Sequence, residues 1–174
     1  VGLVGFLAHG TIKRHLFSSF TVIIGLILGA FLMLAAEKSG RRPETTDVEQ
    51  MTLRQAFLVG LFQILSLWPG FSRSGSTIAG GIFFGLDRKT AADFSFIIAL
   101  PLMMMACFYD LLKSWSRLSA ADFQMIAVGF VVSFIVAYFS VIWFLRFLHK
   151  STLASFAYYR LVLAGFSYYY FFGH

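Results

Sequence analysis

Long apolar runs without charge govern what this chain can become. Residues 16–36 and 123–145 carry no charged side chain, and each matches the roughly 20 apolar residues that cross a bilayer. A helix apolar on all sides needs an apolar surround. Composition agrees: 59% of residues are hydrophobic and 13% charged, against about 45–50% and about 25% in soluble domains. A water-soluble globular domain is excluded. The net charge of +6 would suit a nucleic-acid binder, but the lysines and arginines mostly sit in short hydrophilic breaks between apolar runs. Membrane proteins keep them there, against headgroups, so membrane lipids are the expected partners and nucleic acid is not. Cys107 is the single cysteine, which rules out an intrachain disulfide; beside Met103, Met104 and Met105 it reads as packing.

Along the chain, residues 1–8 read as the tail of an apolar helix, and the sequence starts at Val1 rather than Met. One transmembrane domain over 1–174, truncated at its N-terminus, is expected. Residues 16–36 form a span in which Gly25 and Gly29 have the spacing for close helix approach. Residues 37–49 form a hydrophilic interhelical loop. Further spans are expected over 94–109 (with 91, 92, 111 and 112 added), 123–145 and 153–172, with a polar loop over 110–122; Asp110 and Lys113, three apart, read as a solvated boundary pair at a helix end. Arg160 interrupts the last span and needs a partner or a route to the headgroups; a structural or headgroup role is expected for it. His9, His15, His149 and His174 share no metal-ligand spacing and read as interfacial.

Residues 53–86 behave differently. The apolar stretch 55–67 is stopped by Pro69-Gly70, and the charge-free stretch 74–86 that follows is too short to span. Two short arms around a Pro-Gly break describe a hairpin that enters the membrane and returns to its own side. Irregular backbone at that depth is tolerated only inside protein or beside a wet cavity. The fold expected is therefore all-α, a polytopic transmembrane helix bundle with a re-entrant helix-turn-helix hairpin at about 53–86. On that topology Lys38, Arg41, Arg42, Arg54, Arg88, Lys89, Arg146 and Lys150 share one face, and Lys13, Arg14, Lys113 and Arg117 the other. The positive-inside rule puts the first set in the cytoplasm.

The hairpin also holds the most informative residue, Arg73. An arginine near the bilayer centre costs about 2.5–3.5 kcal/mol and usually serves a function. If Ser72 or Ser74 caps the second arm, its first backbone N–H groups and the positive end of the helix dipole make an anion site at the turn. Arg73 adds a planar fork for bidentate phosphate binding, and Thr77, four residues on, shares its face. Gly70 and Gly75 let backbone approach a bulky ligand. Gly80, Gly81 and Gly85 continue a small-residue face for a crossing helix.

The run Pro69-Gly70-Phe71-Ser72-Arg73-Ser74-Gly75-Ser76-Thr77, preceded by Gln63, resembles the bacterial undecaprenyl-diphosphate phosphatase family of the bacitracin-resistance type. The run from Gly85 through Arg88, Ala91, Ala92, Asp93, Phe94, Ser95 and Phe96 resembles it independently, and the likeness covers essentially the whole chain. It implies a multi-pass hydrolase of the bacterial inner (plasma) membrane. Such an enzyme removes the terminal phosphate of undecaprenyl diphosphate to give the monophosphate that carries peptidoglycan precursors. Carried over by motif, Ser72, Arg73 and Ser74 are catalytic, and Gly75, Ser76, Thr77 and Arg88 bind the substrate phosphates. The resemblance further implies that the hairpin is half of an inverted repeat, whose other half holds a glutamate-rich motif and a histidine that this chain does not contain. A divalent cation, Mg or Ca, is then expected, with ligands in that other segment and no metal site here, and this chain alone is expected not to turn over. The nucleophile, serine or water, stays open, as does homodimerisation. The main competitor is a polyprenyl-phosphate or other anion transporter or flippase, because re-entrant hairpins and inverted repeats are transporter devices. A type-2 phosphatidic acid phosphatase fits less well, since no histidine follows Arg73 closely.

Overall fold

A computed structural model describes residues 16, 18–39, 42–115, 118–150 and 152–173, without the side chains of 120, 121 and 148–150. Residues 1–8, His9, Lys13, Arg14, His15, Arg41, Arg117, His174 and the side chains of His149 and Lys150 lie outside the described residues. The described residues form six α-helices, in order α1 (Ser19–Lys38), α2 (Leu53–Phe62, continued by a 3₁₀ turn over Gln63–Leu67), α3 (Arg73–Phe83), α4 (Arg88–Ser114), α5 (Ala120–Lys150) and α6 (Leu153–Phe172). No strand occurs among the described residues. Three of these helices contain stretches long and apolar enough to cross a membrane: Ser19–Lys38, Arg88–Ser114 and Asp122–Phe147. The last has none of its residues buried within the chain, so its apolar surface is covered by something other than this fold. The chain is a membrane-protein helix bundle.

Local sequence sets the helix ends. Ser18 Oγ accepts the Thr21 N–H at 3.2 Å while Thr21 Oγ1 accepts the Ser18 N–H at 3.1 Å, a reciprocal cap that starts α1. Thr52 and Gln55 repeat it for α2. The helix α4 runs further than the sequence pattern predicts. Asp110 and Lys113 lie within its last turns rather than in a loop over 110–122, because neither residue breaks a helix and no glycine or proline follows Pro101 before its end. Ser119 and Asp122 then cap α5 by exchanging backbone hydrogen bonds.

The arms α2 and α3 form the hairpin. At 11 residues, α3 is about 16 Å long, roughly half a bilayer core. Its far end comes back beside the start of α2: Gln55 Nε2 donates to Phe84 O at 3.0 Å, and Thr45 pairs with Leu86 in a short parallel bridge. The chain therefore returns to the level it left. Gly80 and Gly81 let α3 close onto Phe62 and Ala91 respectively.

The Pro69–Phe71 turn is seated on α1. Trp68 Nε1 donates to Thr21 O at 2.9 Å. A Cβ at Gly25 would strike Pro69 O, and one at Gly29 would strike Phe71 O and the Arg160 guanidinium. The Gly25/Gly29 spacing that suggests helix–helix contact thus serves mainly to admit this turn. At the opposite end of α1, Glu37 pairs with Arg88 and accepts the Leu153 N–H at 3.3 Å. The end of α1 and the starts of α4 and α6 therefore share one level, as the distribution of cationic residues requires.

Candidate active site

The second arm begins under strain. Ser72 has φ 74° and ψ 114°, making it the one non-glycine residue with positive φ among those described. Such backbone costs about 1–3 kcal/mol and persists where its surroundings enforce it. What it achieves is a cap: Ser72 Oγ accepts the Gly75 N–H at 3.2 Å, and the Ser72 carbonyl accepts the Ser76 N–H at 3.0 Å. The amides of Arg73 and Ser74, first in the helix, have no intrahelical acceptor by position. They lie at the positive end of the helix dipole.

A cavity of about 320 Å³ opens beside this helix start. Its lining combines Ser72, Ser74, Gly75, Tyr159 and Arg160 with the apolar Leu26, Met33, Ile78, Phe144, Leu153, Phe156 and Leu163. Ser74 Oγ has no protein partner among the described residues. Arg73 adjoins the cavity through its two neighbours without lining it. The residue is partly buried, and its guanidinium makes no hydrogen bond or ion pair among the described residues.

The other expected phosphate ligands are placed differently. Ser76 Oγ donates to Arg73 O at 2.9 Å and is buried. Thr77 Oγ1 lies 2.7 Å from Arg73 O and 2.7 Å from Ser95 Oγ, and the side chain is fully buried. These hydroxyls hold the first turn of α3 and tie it to α4. Arg88 is not brought to the cavity at all: it begins α4, past the far end of α3, and is paired with Glu37. Among the expected set, then, the structure gathers Ser72, Ser74 and Gly75 around the cavity with Arg73 alongside. Sequence reasoning missed Tyr159 and Arg160 as part of the cavity wall; the signal for Arg160 was a cation in mid-helix with no local partner.

These groups suit an oxyanion carried on an apolar chain. N–H, O–H and guanidinium donors line the same cavity as aliphatic and aromatic side chains. No carboxylate, thiolate or imidazole lines the cavity, and no cluster of three His, Cys, Asp or Glu occurs among the described residues. Divalent cations need oxygen ligands rich in carboxylate, so this donor set does not fit one.

With that geometry in place, comparison with known proteins is decisive. Residues 1–166 match the family described as "Bacitracin resistance protein BacA". The chain belongs to this family. It is 51% identical over 162 residues to the protein named Undecaprenyl-diphosphatase 1 of Bacillus thuringiensis (strain Al Hakam), covering 93% of this chain and 61% of that protein. Identity is 52% over 163 residues to Undecaprenyl-diphosphatase of Exiguobacterium sibiricum (93% and 59%), and 51% over 169 residues to that of Bacillus subtilis (strain 168) (94% and 61%). The chain spans about three fifths of the length of these curated relatives.

The strained cap gives a test of its own. Glycine at position 72 adopts positive φ freely and caps a helix only a few tenths of a kcal/mol less well than serine. Ser72→Gly is therefore expected to raise stability by about 1 kcal/mol, read as a higher melting midpoint in detergent, while phosphate handling falls because the hydroxyl is gone. A Ser72→Gly protein that is both more stable and fully active would show the serine to be dispensable.

Proposed function

We propose that the protein is an undecaprenyl-diphosphatase of the bacterial plasma membrane. The observation that carries this reading is one cavity lined both by donors at the α3 helix start (Ser72, Ser74, Gly75) with Arg160 and by the apolar side chains a polyprenyl chain would need. The names of its relatives, undecaprenyl-diphosphatases, support it. The reaction adds water across the diphosphate anhydride. The bond between the terminal phosphorus and the bridging oxygen breaks, leaving lipid monophosphate and inorganic phosphate. Such hydrolysis is largely positioning and neutralisation of negative charge. On this reading Arg73 and the first-turn amides hold the phosphoryl oxygens, Ser72 sets the helix start, and Ser74 offers a free hydroxyl. No carboxylate, imidazole or thiol, the groups that most often carry the proton in such a step, is among the lining residues. The product is the lipid carrier monophosphate used in cell-wall assembly.

The test is phosphate release from undecaprenyl diphosphate by the full-length protein, with lipid products separated by chromatography. One phosphate per lipid, with the monophosphate as sole lipid product, is expected. Movement of intact diphosphate lipid across vesicles with no phosphate released would overturn the proposal in favour of a transporter.

A further inference from the structure

Arg160 is 7% exposed, and no carboxylate pairs with it among the described residues. Its Nη2 donates to the carbonyls of Gly25 and Leu26, both at 3.3 Å, and to that of Gly70. This staples α6 to α1 and to the hairpin turn. The rest of the guanidinium is unused. Nε is enclosed and has no acceptor, and Nη1 forms no hydrogen bond among the described residues. An arginine carries five N–H donors, and carbonyl dipoles do not cancel a full charge. A buried cation without a counter-ion is costly, so the site is complete only when an anion joins it. Arg160 lines the same cavity as Ser72, Ser74 and Gly75, and Arg73, also without a protein partner, begins the same helix start from outside that wall.

We infer that Arg160 is a second anion-binding residue of this site. It binds one phosphate group of a diphosphate ester directly, while Arg73 serves the other. The inference rests on the diphosphatase reading for its ligand. Two guanidinium groups around one helix start match two adjoining phosphates, and they predict discrimination between diphosphate and monophosphate lipids. A structural staple alone predicts none.

Equilibrium binding of farnesyl diphosphate and farnesyl phosphate to the full-length protein, with melting midpoints recorded, separates these roles. The wild type is expected to favour the diphosphate by roughly tenfold or more, the scale of one charge-assisted hydrogen bond. Arg160→Met is expected to remove that preference. Arg160→Lys, which keeps the charge and loses the fork, is expected to weaken diphosphate binding about tenfold with the preference reduced. If both variants melt lower but keep the wild-type affinity and preference, Arg160 is only a staple and the inference fails. Should Arg160→Met not fold, wild-type affinity in Arg160→Lys overturns it alone. Phosphate release is followed in parallel. A wild type that binds farnesyl diphosphate without hydrolysing it removes the diphosphatase reading and leaves Arg160 to be judged by binding. A wild type that hydrolyses, with binding indifferent to Arg160, removes only the present inference.

Discussion

Alanine at Arg73 is expected to lower kcat/KM for phosphate release by about 10²–10³-fold, the scale of losing one preorganised charge-stabilising donor, while the melting midpoint hardly moves. The asymmetry follows from its surroundings. Arg73 is partly buried but makes no hydrogen bond or ion pair among the described residues, so the folded chain does not lean on its charged group. Substitutions of that kind usually fall within about 0.5 kcal/mol. Its backbone does matter, since the Arg73 carbonyl receives the hydroxyls of Ser76 and Thr77, but alanine keeps that carbonyl and favours the helix. Arg73→Lys retains a cation without the two-pronged fork, and an intermediate loss is expected. If the contact forms only as charge develops, kcat falls with kcat/KM; if it binds ground and transition states alike, KM rises instead. An alanine variant with activity within a few-fold of wild type would remove Arg73 from the site.

Most of the framework was legible because its signals are local. Pro69-Gly70 between two short apolar arms announces a hairpin, and Ser72 or Ser74 announces a helix start; the hairpin is present and Ser72 is the cap. Residues 110–114 misled because Asp110 and Lys113 look like loop residues, yet polar residues end a helix only with a breaker or a cap, and the capping pair lies at Ser119 and Asp122. What stayed hidden is tertiary. Ser76, Thr77 and Arg88 stand inside motifs whose strings look like a phosphate site, but Thr77 is matched with Ser95 of α4 and Arg88 with Glu37 of α1. Nothing in their spacing reveals which partner reaches them first. Arg160 shows the converse. Its acceptors are carbonyls of Gly25, Leu26 and Gly70, backbone groups that every residue has and that no sequence pattern marks.

Valine at Gly70 is expected to be the most damaging single change in the hairpin, lowering the melting midpoint by many degrees and removing phosphate release. Gly70 has φ 87°, backbone that costs a non-glycine residue about 1–3 kcal/mol, and a branched side chain fits it worst. A Cβ there would also collide with Val22 O and stand 3.2 Å from Leu26 N. Both belong to the backbone of α1 and cannot swing aside as a side chain would, which adds about 1–3 kcal/mol for overpacking. The turn would have to lift off α1. Lifting it pulls Gly70 O from Arg160 and Trp68 from Thr21 O, and it moves the start of α3 that Ser72 caps. Gly60→Ala is the control: a Cβ there meets nothing within 4 Å, and replacing a helical glycine stabilises by roughly 0.5–1 kcal/mol. Normal melting of Gly70→Val would mean that the turn does not rest on α1. Low melting with full activity in the cold would mean that seating the turn stabilises the fold without setting the geometry of the helix start, and that phosphate binding does not depend on the hairpin's seat.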